Sequence, residues 1–338
     1  MGHTRVTRVE AAQAERVDRV TAVVACYRDA QAIPEMYGGL RAAFCAAAVS
    51  GEIVFVNDAS PDNALELLEA LAEQDASVVV VNHSRNFGSQ AAFTSGMRIA
   101  TGDAVVLLDG DLQDPPSVIP EMIRRWREGY DVVYGVRTGR DASWYLGLAY
   151  KVFYRLFRSA AYVPMPLDAG DFSLLDRRVV DTMNSLPENN RFIRGLRAWV
   201  GYKQIGVAYF RPARKFGRST NSFLRNLGWA RRAIWSFSYA PLELITVMSA
   251  FVIGLTGLGI LAELVVHLIR PHLVSTPFAV VLLVVMFLGG VQLLALGIIG
   301  SYLAHIYDEV KRRPSYIVAS VINPPVGPSV GGDRDGAR

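Results

Sequence analysis

Along this chain, short β-branched apolar runs alternate with stretches whose apolar positions recur at helical spacing. The runs are VTAVVAC at 20–26, EIVFVN at 52–57, SVVVVN at 77–82, DAVVLLD at 103–109 and DVVYGV at 131–136. Runs that are apolar on both faces of an extended chain are strands covered on both sides, and the segments between them are long enough for crossover helices. The pattern predicts an α/β domain built on a mainly parallel sheet. Such sheets bind ligands beyond the C-terminal ends of their strands, so the residues just after each run are the ones to inspect.

Two longer runs have a different character. From Phe278 to Leu303 no residue carries a formal charge, and at about 1.5 Å of rise per residue the run exceeds the ~30 Å hydrocarbon core of a bilayer. A second run, Leu244 to Ile269, is interrupted only by Glu263 and His267 near its far end. Together they predict a transmembrane hairpin. Before it, Phe223, Leu227, Ala230, Ile234 and Phe237 recur at steps of four and three with Arg225, Arg231 and Arg232 off that seam, the pattern of a helix lying in the headgroup region. The sequence therefore divides into an N-terminal arm at 1–18, a catalytic domain at 19–220, an interfacial helix at 221–240, the hairpin at 241–306, and a C-terminal segment with a disordered tail at 307–338.

Charge orients this arrangement. The short link between the two runs holds one arginine, Arg270, whereas Lys311, Arg312 and Arg313 follow the exit and Arg225, Arg231 and Arg232 precede the entry. By the positive-inside rule both termini and the soluble part face the cytoplasm, in a multi-pass inner (plasma) membrane protein. The N-terminus has no apolar stretch that could serve as a signal peptide. Of 338 residues only Cys26 and Cys45 are cysteines, and the net charge of +4 is too small to point to nucleic acid. The basic residues beside the apolar runs are accounted for by membrane lipids.

The strongest local signal is Asp109-Gly110-Asp111-Leu112-Gln113-Asp114-Pro115-Pro116, directly after an apolar run. Carboxylates at alternate positions of an extended turn can face one hard cation and leave sites open for phosphate oxygens. Asp109, Asp111 and Gln113 are the candidate metal ligands. Neither a GxxxxGK[ST] loop nor a GxGxxG turn follows the first strand, which argues against a nucleotide kinase or dehydrogenase.

With these residues in view, the chain resembles the polyprenyl-phosphate glycosyltransferases of glycosyltransferase family 2, related to dolichyl-phosphate mannose synthase and the bactoprenol glucosyltransferases. The resemblance runs from about residue 20 to 318. It is carried by VNDASPDN at 56–63, SRNFG at 84–88, DGDLQDPP at 109–116, GVR at 135–137, DAGDFSLLDRRVVD at 168–181, RFIRGL at 191–196, FGRS at 216–219 and GSYLAHIYDEVKRRPSYIV at 300–318. It implies a glycosyltransferase A fold, and Mg²⁺ or Mn²⁺ bridging the two aspartates to a donor diphosphate. It also implies nucleotide contacts at Tyr27, Asp29 and Asp58, with Arg85 and Asn86 nearby. Asp58 has a second reading as a turn residue, given Ser60, Pro61 and Asp62 after it. Asp171 occupies the position of a base, with orientation of a sugar hydroxyl or of the metal site as its other reading, and Asp111 is the second catalytic candidate.

A donor diphosphate and an acceptor phosphate bring several negative charges into one cleft, and guanidinium groups match them with paired donors. Arg137, Arg194 and Arg214 are the candidates, with Ser219 of the FGRS stretch. A lipid monophosphate has a second pKa near 6, so it needs little help from a base; stabilisation of the leaving group is the greater need. The expected reaction is inverting transfer from a nucleotide sugar, such as UDP-glucose, to polyprenyl phosphate. Departures from the family pattern are Ala25-Cys26-Tyr27-Arg28-Asp29 at the first strand end, Ser173 after GDF, and Thr220 and Asn221 where lysine and tyrosine are usual. The competing readings are a glycolipid synthase acting on a neutral lipid and a non-catalytic membrane scaffold. Gly289, Gly290, Gly297 and Gly300 give the last span small faces, and a homo-oligomer is expected.

Overall fold

In the computed structural model the chain is described at residues 18–138, 169–189, 191–212, 215, 240–269 and 277–325. It divides into two compact units, Met1–Ser143 with Met165–Thr220 and Pro314–Arg338, and Trp144–Pro164 with Asn221–Arg313.

The first unit is built on an eight-stranded sheet in the order β7-β5-β6-β4-β1-β2-β3-β8. Its strands are β1 Arg19–Cys26, β2 Ser50–Asn57, β3 Val78–His83, β4 Ala104–Asp109, β5 Val132–Thr138, β6 Ala169–Asp176, β7 Gln204–Phe210 and β8 Val318–Ile322. The helices are α1 Ile33–Ala46, α2 Ala64–Gln74, α3 Ser89–Ile99, α4 Ile119–Arg127, α5 Arg177–Ser185 and α6 Ile193–Trp199. Each of the five apolar runs is a strand, and the α/β class is as expected. The pairs β1/β2, β1/β4, β2/β3 and β5/β7 are parallel. Strand β6 runs antiparallel to both its neighbours, and β8 antiparallel to β3.

Burial explains the layering. Val20, Ala22, Val24 and Cys26 of β1 enter one core with Ile33, Met36 and Leu40 of α1, Leu68 of α2 and Met122 of α4. The alternate residue Val23 meets α3 on the other face. Gly96 allows that helix to sit down on the sheet, since a Cβ there would lie 2.2 Å from Val23 Cγ1. Helix α5 starts where Asp176, its N-cap, accepts the Arg178 N–H at 3.0 Å, satisfying a donor the helix cannot. The register sets Cys26 of β1 opposite Asn57 of β2, Asn57 opposite Asn82 of β3, and Ala25 opposite Asp109 of β4. The C-terminal ends of these four strands are therefore level, and their turns share one edge.

The C-terminal segment adds a strand that the sequence pattern did not indicate. Residues 318–322 form β8, which covers the free edge of β3. Edge strands are prone to pair with other chains, and here the apolar β3 is shielded while the five-residue β8 takes the edge position.

The second unit contains α7 Ala240–Ile269 and α8 Pro277–Val310. Within α8, Val284–Val310 has mean hydropathy 2.1 and is long and apolar enough to cross a membrane, the one such span among the described residues. Helix α7 is 30 residues long, about 45 Å at the usual rise. Val247, Phe251, Leu255, Leu258 and Leu261 are exposed along it, and several of its other side chains lie outside the described residues. One span of the expected hairpin thus meets the length and hydropathy measure. The expected interfacial helix at 221–240 lies outside the described residues except for Ala240, which begins α7.

Candidate active site

The turns after β1, β2 and β4 share an uncommon backbone. Arg28, Ala59 and Leu112 have φ of 60°, 49° and 61°, a left-handed conformation that disfavours residues with a Cβ. Such strain persists only where the surroundings impose it, and it clusters at binding and catalytic sites. All three positions lie at the edge where a ligand of this fold is expected.

The β4 turn gathers carboxylates. Asp109 accepts no hydrogen bond among the described residues. Burial, then the charges of Asp114, Asp171 and Asp111, push its pKa up to about 8, against a smaller opposing effect of Arg211. Asp111 is buried, and its Oδ1 accepts the Gln113 N–H at 3.1 Å, which shapes the turn. Among the described residues, no group of three His, Cys, Asp or Glu side chains forms a complete ligand set for an ion. Two carboxylates with excess negative charge suit a hard cation that draws the rest of its shell from phosphate oxygens and water. Gln113, the third expected ligand, is engaged with the β7 end: its Oε1 accepts Arg211 Nη2 at 2.8 Å, and its Nε2 reaches the Pro212 carbonyl at 3.4 Å.

Arginines face the carboxylates. Arg194 holds Asp171 through two bonds, Nε to Oδ1 at 2.9 Å and Nη2 to Oδ2 at 3.0 Å, and Gln90 Nε2 donates to Oδ2 at 3.2 Å. Burial alone would raise the Asp171 pKa, but Arg194, then Arg197 and Arg137, outweigh it and hold the carboxyl below the usual range. A carboxylate so stabilised is a poor proton acceptor near neutral pH. The pairing speaks against proton transfer by Asp171 and gives it a role neither reading named, the orientation of Arg194; orientation of a sugar hydroxyl or of the metal site stays open. Arg197 is wholly buried beside it, its pKa brought down to about 10 by that burial.

Arg137, at the end of β5, lies along the backbone of β6. The guanidinium rests against Gly170, where a Cβ would come within 2.7 Å of Arg137 Nη2 and push it aside. Its Nε donates to the Tyr209 hydroxyl at 3.3 Å, and that hydroxyl donates to Asp114 Oδ1 at 2.5 Å. Burial raises the Asp114 pKa, with Arg211 and Tyr209 opposing.

At the other end of the edge, Asp58 is spoken for. It is 2% exposed. Oδ1 accepts the Phe87 N–H at 2.8 Å and faces His83 Nδ1 at 2.8 Å, and Oδ2 accepts the Gly88 N–H at 2.7 Å. Beside the nucleotide contact expected of it, Asp58 has a holding role: it fixes the 84–88 loop. That loop carries Arg85 and Asn86, both exposed, with the Arg85 guanidinium 4.0 Å from the Phe87 ring centroid. Tyr27 is half-buried, and Asp29 is buried with Oδ2 3.4 Å from the Tyr27 N–H. A cleft of about 370 Å³ opens beside this loop, lined by Asn57, Ser60, Asp62, Glu66, Asn82 and His83. It does not include the Asp109 cluster. Arg214, Ser219 and Thr220 lie outside the described residues.

Sequence reasoning missed Tyr209, Gln90 and His83, and gave Asp114 and Arg211 no role of their own. Asp114 and Arg211 were visible as charged residues near the motifs. Tyr209 and His83 sit in strands, where nothing in the local pattern separates a core aromatic from a site residue.

Comparison with known proteins follows this geometry. The Glycosyl transferase family 2 model matches residues 21–183. The Bacillus subtilis glycosyltransferase YkcC is 40% identical over 299 residues, covering 88% of this chain and 92% of its own. The bactoprenol glucosyl transferase of Shigella phage SfII is 36% identical over 301 residues, covering 89% and 97%. Among solved structures, the glucosyl-3-phosphoglycerate synthase of Mycobacterium tuberculosis with Mn²⁺ and UDP-glucose is 19% identical with a TM-score of 0.44, covering 68% of this chain and 80% of that one.

Proposed function

Because the chain belongs to glycosyl transferase family 2 and is a glycosyltransferase, we propose that it moves a sugar from a nucleotide sugar, UDP-glucose being the first donor to test, onto a polyprenyl phosphate at the cytoplasmic face of a membrane. The observation that carries this reading is the opposition of Asp109, Asp111, Asp114 and Asp171 to Arg137, Arg194 and Arg211 along one sheet edge. The near full-length likeness to a bactoprenol glucosyl transferase supports the acceptor class.

In this reading Asp109 and Asp111 hold a divalent cation, Mg²⁺ or Mn²⁺, which when bound neutralises charge on the departing diphosphate. Arg137 and Arg194 bind phosphate oxygens, Arg194 in the orientation that Asp171 sets. The loop at 84–88, fixed by Asp58, presents Arg85 and Asn86 to the nucleotide. An oxygen of the acceptor phosphate attacks the anomeric carbon as the bond to the diphosphate breaks, with inversion. The acceptor is already largely dianionic near neutral pH, so no protein base is needed. That agrees with an Asp171 held ionised by Arg194. A neutral hydroxyl acceptor would have to lose a proton, and Asp171 is poorly placed electrostatically to take it.

The helices α7 and α8 form the membrane hairpin of this reading, with the lysines and arginines at its ends on the cytoplasmic side. The deciding experiment gives purified full-length protein a labelled UDP-sugar, Mn²⁺ or Mg²⁺, and either polyprenyl phosphate or diacylglycerol. A mass shift of one hexose on the polyprenyl phosphate alone is expected. Sugar on diacylglycerol alone, or no glycolipid with any donor, would overturn the assignment.

A further inference from the structure

A second, smaller cleft of about 170 Å³ is lined by residues including Arg98, Glu188, Arg191, Pro314 and Tyr316. It shares no lining residue with the carboxylate cluster. Arg98 lies two turns further along α3 than Gln90, the residue that reaches Asp171, a separation of about 12 Å along the helix. At about 30 Å³ per water molecule, the cleft has room for a phosphate group and a few waters, and too little for a nucleotide.

Its chemistry is cationic and incomplete. Arg191 is 7% exposed; Nη2 donates to the Met183 carbonyl, whereas the buried Nε has no partner among the described residues. A buried guanidinium N–H without an acceptor is costly. Burial lowers the Arg191 pKa and the nearby Arg98 lowers it further, so two guanidiniums stand close enough to repel; Glu188 and Tyr316 offset this only in part. Arg98 is exposed at the mouth, its Nη1 3.4 Å from the Tyr316 hydroxyl and its guanidinium 5.7 Å from that ring's centroid. An oxyanion seated between Arg98 and Arg191, which both line the cleft, would offset their mutual repulsion and accept from the guanidinium N–H groups that face it.

Tyr316 ties the cleft to the sheet. Its ring stacks on His83 with centroids 5.4 Å apart and planes 13° apart, and the next carbonyl, Ile317 O, accepts the Ser84 N–H at 3.0 Å. Pro314 to Tyr316 also follow the end of α8 by four to six residues, with Lys311, Arg312 and Arg313 between. On the reading of α8 as a membrane span, residues this close to it in the chain meet anionic headgroups at high local concentration.

We propose that this cleft is a phosphate-binding site, separate from the donor and acceptor phosphates of the reaction. Its ligand chemistry is a phosphate group, carried by a phospholipid headgroup or free as inorganic phosphate. The site requires no turnover, so it stands or falls independently of the transferase assignment.

The test uses hydrogen exchange by mass spectrometry on full-length protein. In a phosphate-free maltoside detergent, inorganic phosphate is titrated at constant ionic strength; separately, the protein is placed in nanodiscs of phosphatidylglycerol without added phosphate. Protection of the segments 186–192 and 314–317 is expected. Arg98→Ala, an exposed position that should leave the fold intact, should weaken the phosphate midpoint by about tenfold or more, and Arg98→Lys by less. Protection in nanodiscs identifies the headgroup as a source, and protection only with inorganic phosphate identifies the free anion. No protection of these segments under either condition, or equal protection of wild type and Arg98→Ala, would overturn the proposal.

Discussion

Asp58 and Asp109 occupy matching places, one just past the end of β2 and the other at the end of β4, on strands that flank β1. Both are aspartates at strand ends in short polar motifs, yet their surroundings are opposite. Asp58 is met by two backbone N–H groups and His83 within 2.8 Å. Asp109 is met by other carboxylates, and its own proton is held up to a pKa of about 8. A carboxylate with its donors already in place is part of the scaffold. One surrounded by its own kind awaits a cation.

The contrast breaks most visibly through Asp109→Ala. Loss of a cation-binding carboxylate should lower transfer by about 10³-fold, measured as glycolipid formed per minute, while the thermal midpoint of metal-free protein stays level or rises because folding no longer has to bury a carboxyl among other acids. A normal rate would end the metal assignment.

Asp58→Ala should show the reverse. Orphaning the Phe87 and Gly88 N–H groups and His83 should cost about 3 kcal/mol of stability, visible as an earlier thermal transition, with a raised donor KM from a loosened 84–88 loop. Unchanged stability together with lost donor binding would make Asp58 a ligand contact after all.

The proton on Asp109 offers a third measurement. A carboxyl raised in the folded state contributes stability that is complete below its unfolded pKa and is lost as pH rises through the folded value. For the metal-free protein that window runs from about 4 to 8. A cation must displace this proton, so Mn²⁺ affinity should rise by up to tenfold per pH unit towards pH 8 and level off above it. Calorimetric titration at pH 6, 7 and 8 would show the trend, and a flat series would contradict the raised value.

Asp171→Asn should have the smallest effect. With Arg194 less firmly oriented, turnover should fall by roughly tenfold, and the acid limb of the rate profile should stay where it is. Asp171 is depressed, so the stability it contributes is present above about pH 4 and lost only as pH falls through its lowered value. Disappearance of a limb between pH 5 and 8 in the variant would restore Asp171 as a base.

Much of this was legible beforehand. The five apolar runs became β1 to β5, and the DGDLQDPP stretch placed its carboxylates where a metal reading needs them. Strands β6, β7 and β8 were not read. In β6 the motif residues Asp171 and Ser173 hide the strand pattern; β7 is a half-exposed edge; and β8 is five residues long, with a partner more than two hundred positions earlier. The motif put Gln113 beside the carboxylates, but only the fold brings Arg211 to it from β7's far end.

The sequence by itself determined the strand runs, the long apolar helix and the positions of the acidic and basic residues, because periodicity and charge are local properties. Tertiary structure alone decided which acids were neutralised. Asp58 finds its donors 25 to 30 residues away, and Asp171 finds Arg194 23 away. A carboxylate's role depends on the donors around it in space, and spacing along the chain does not specify them.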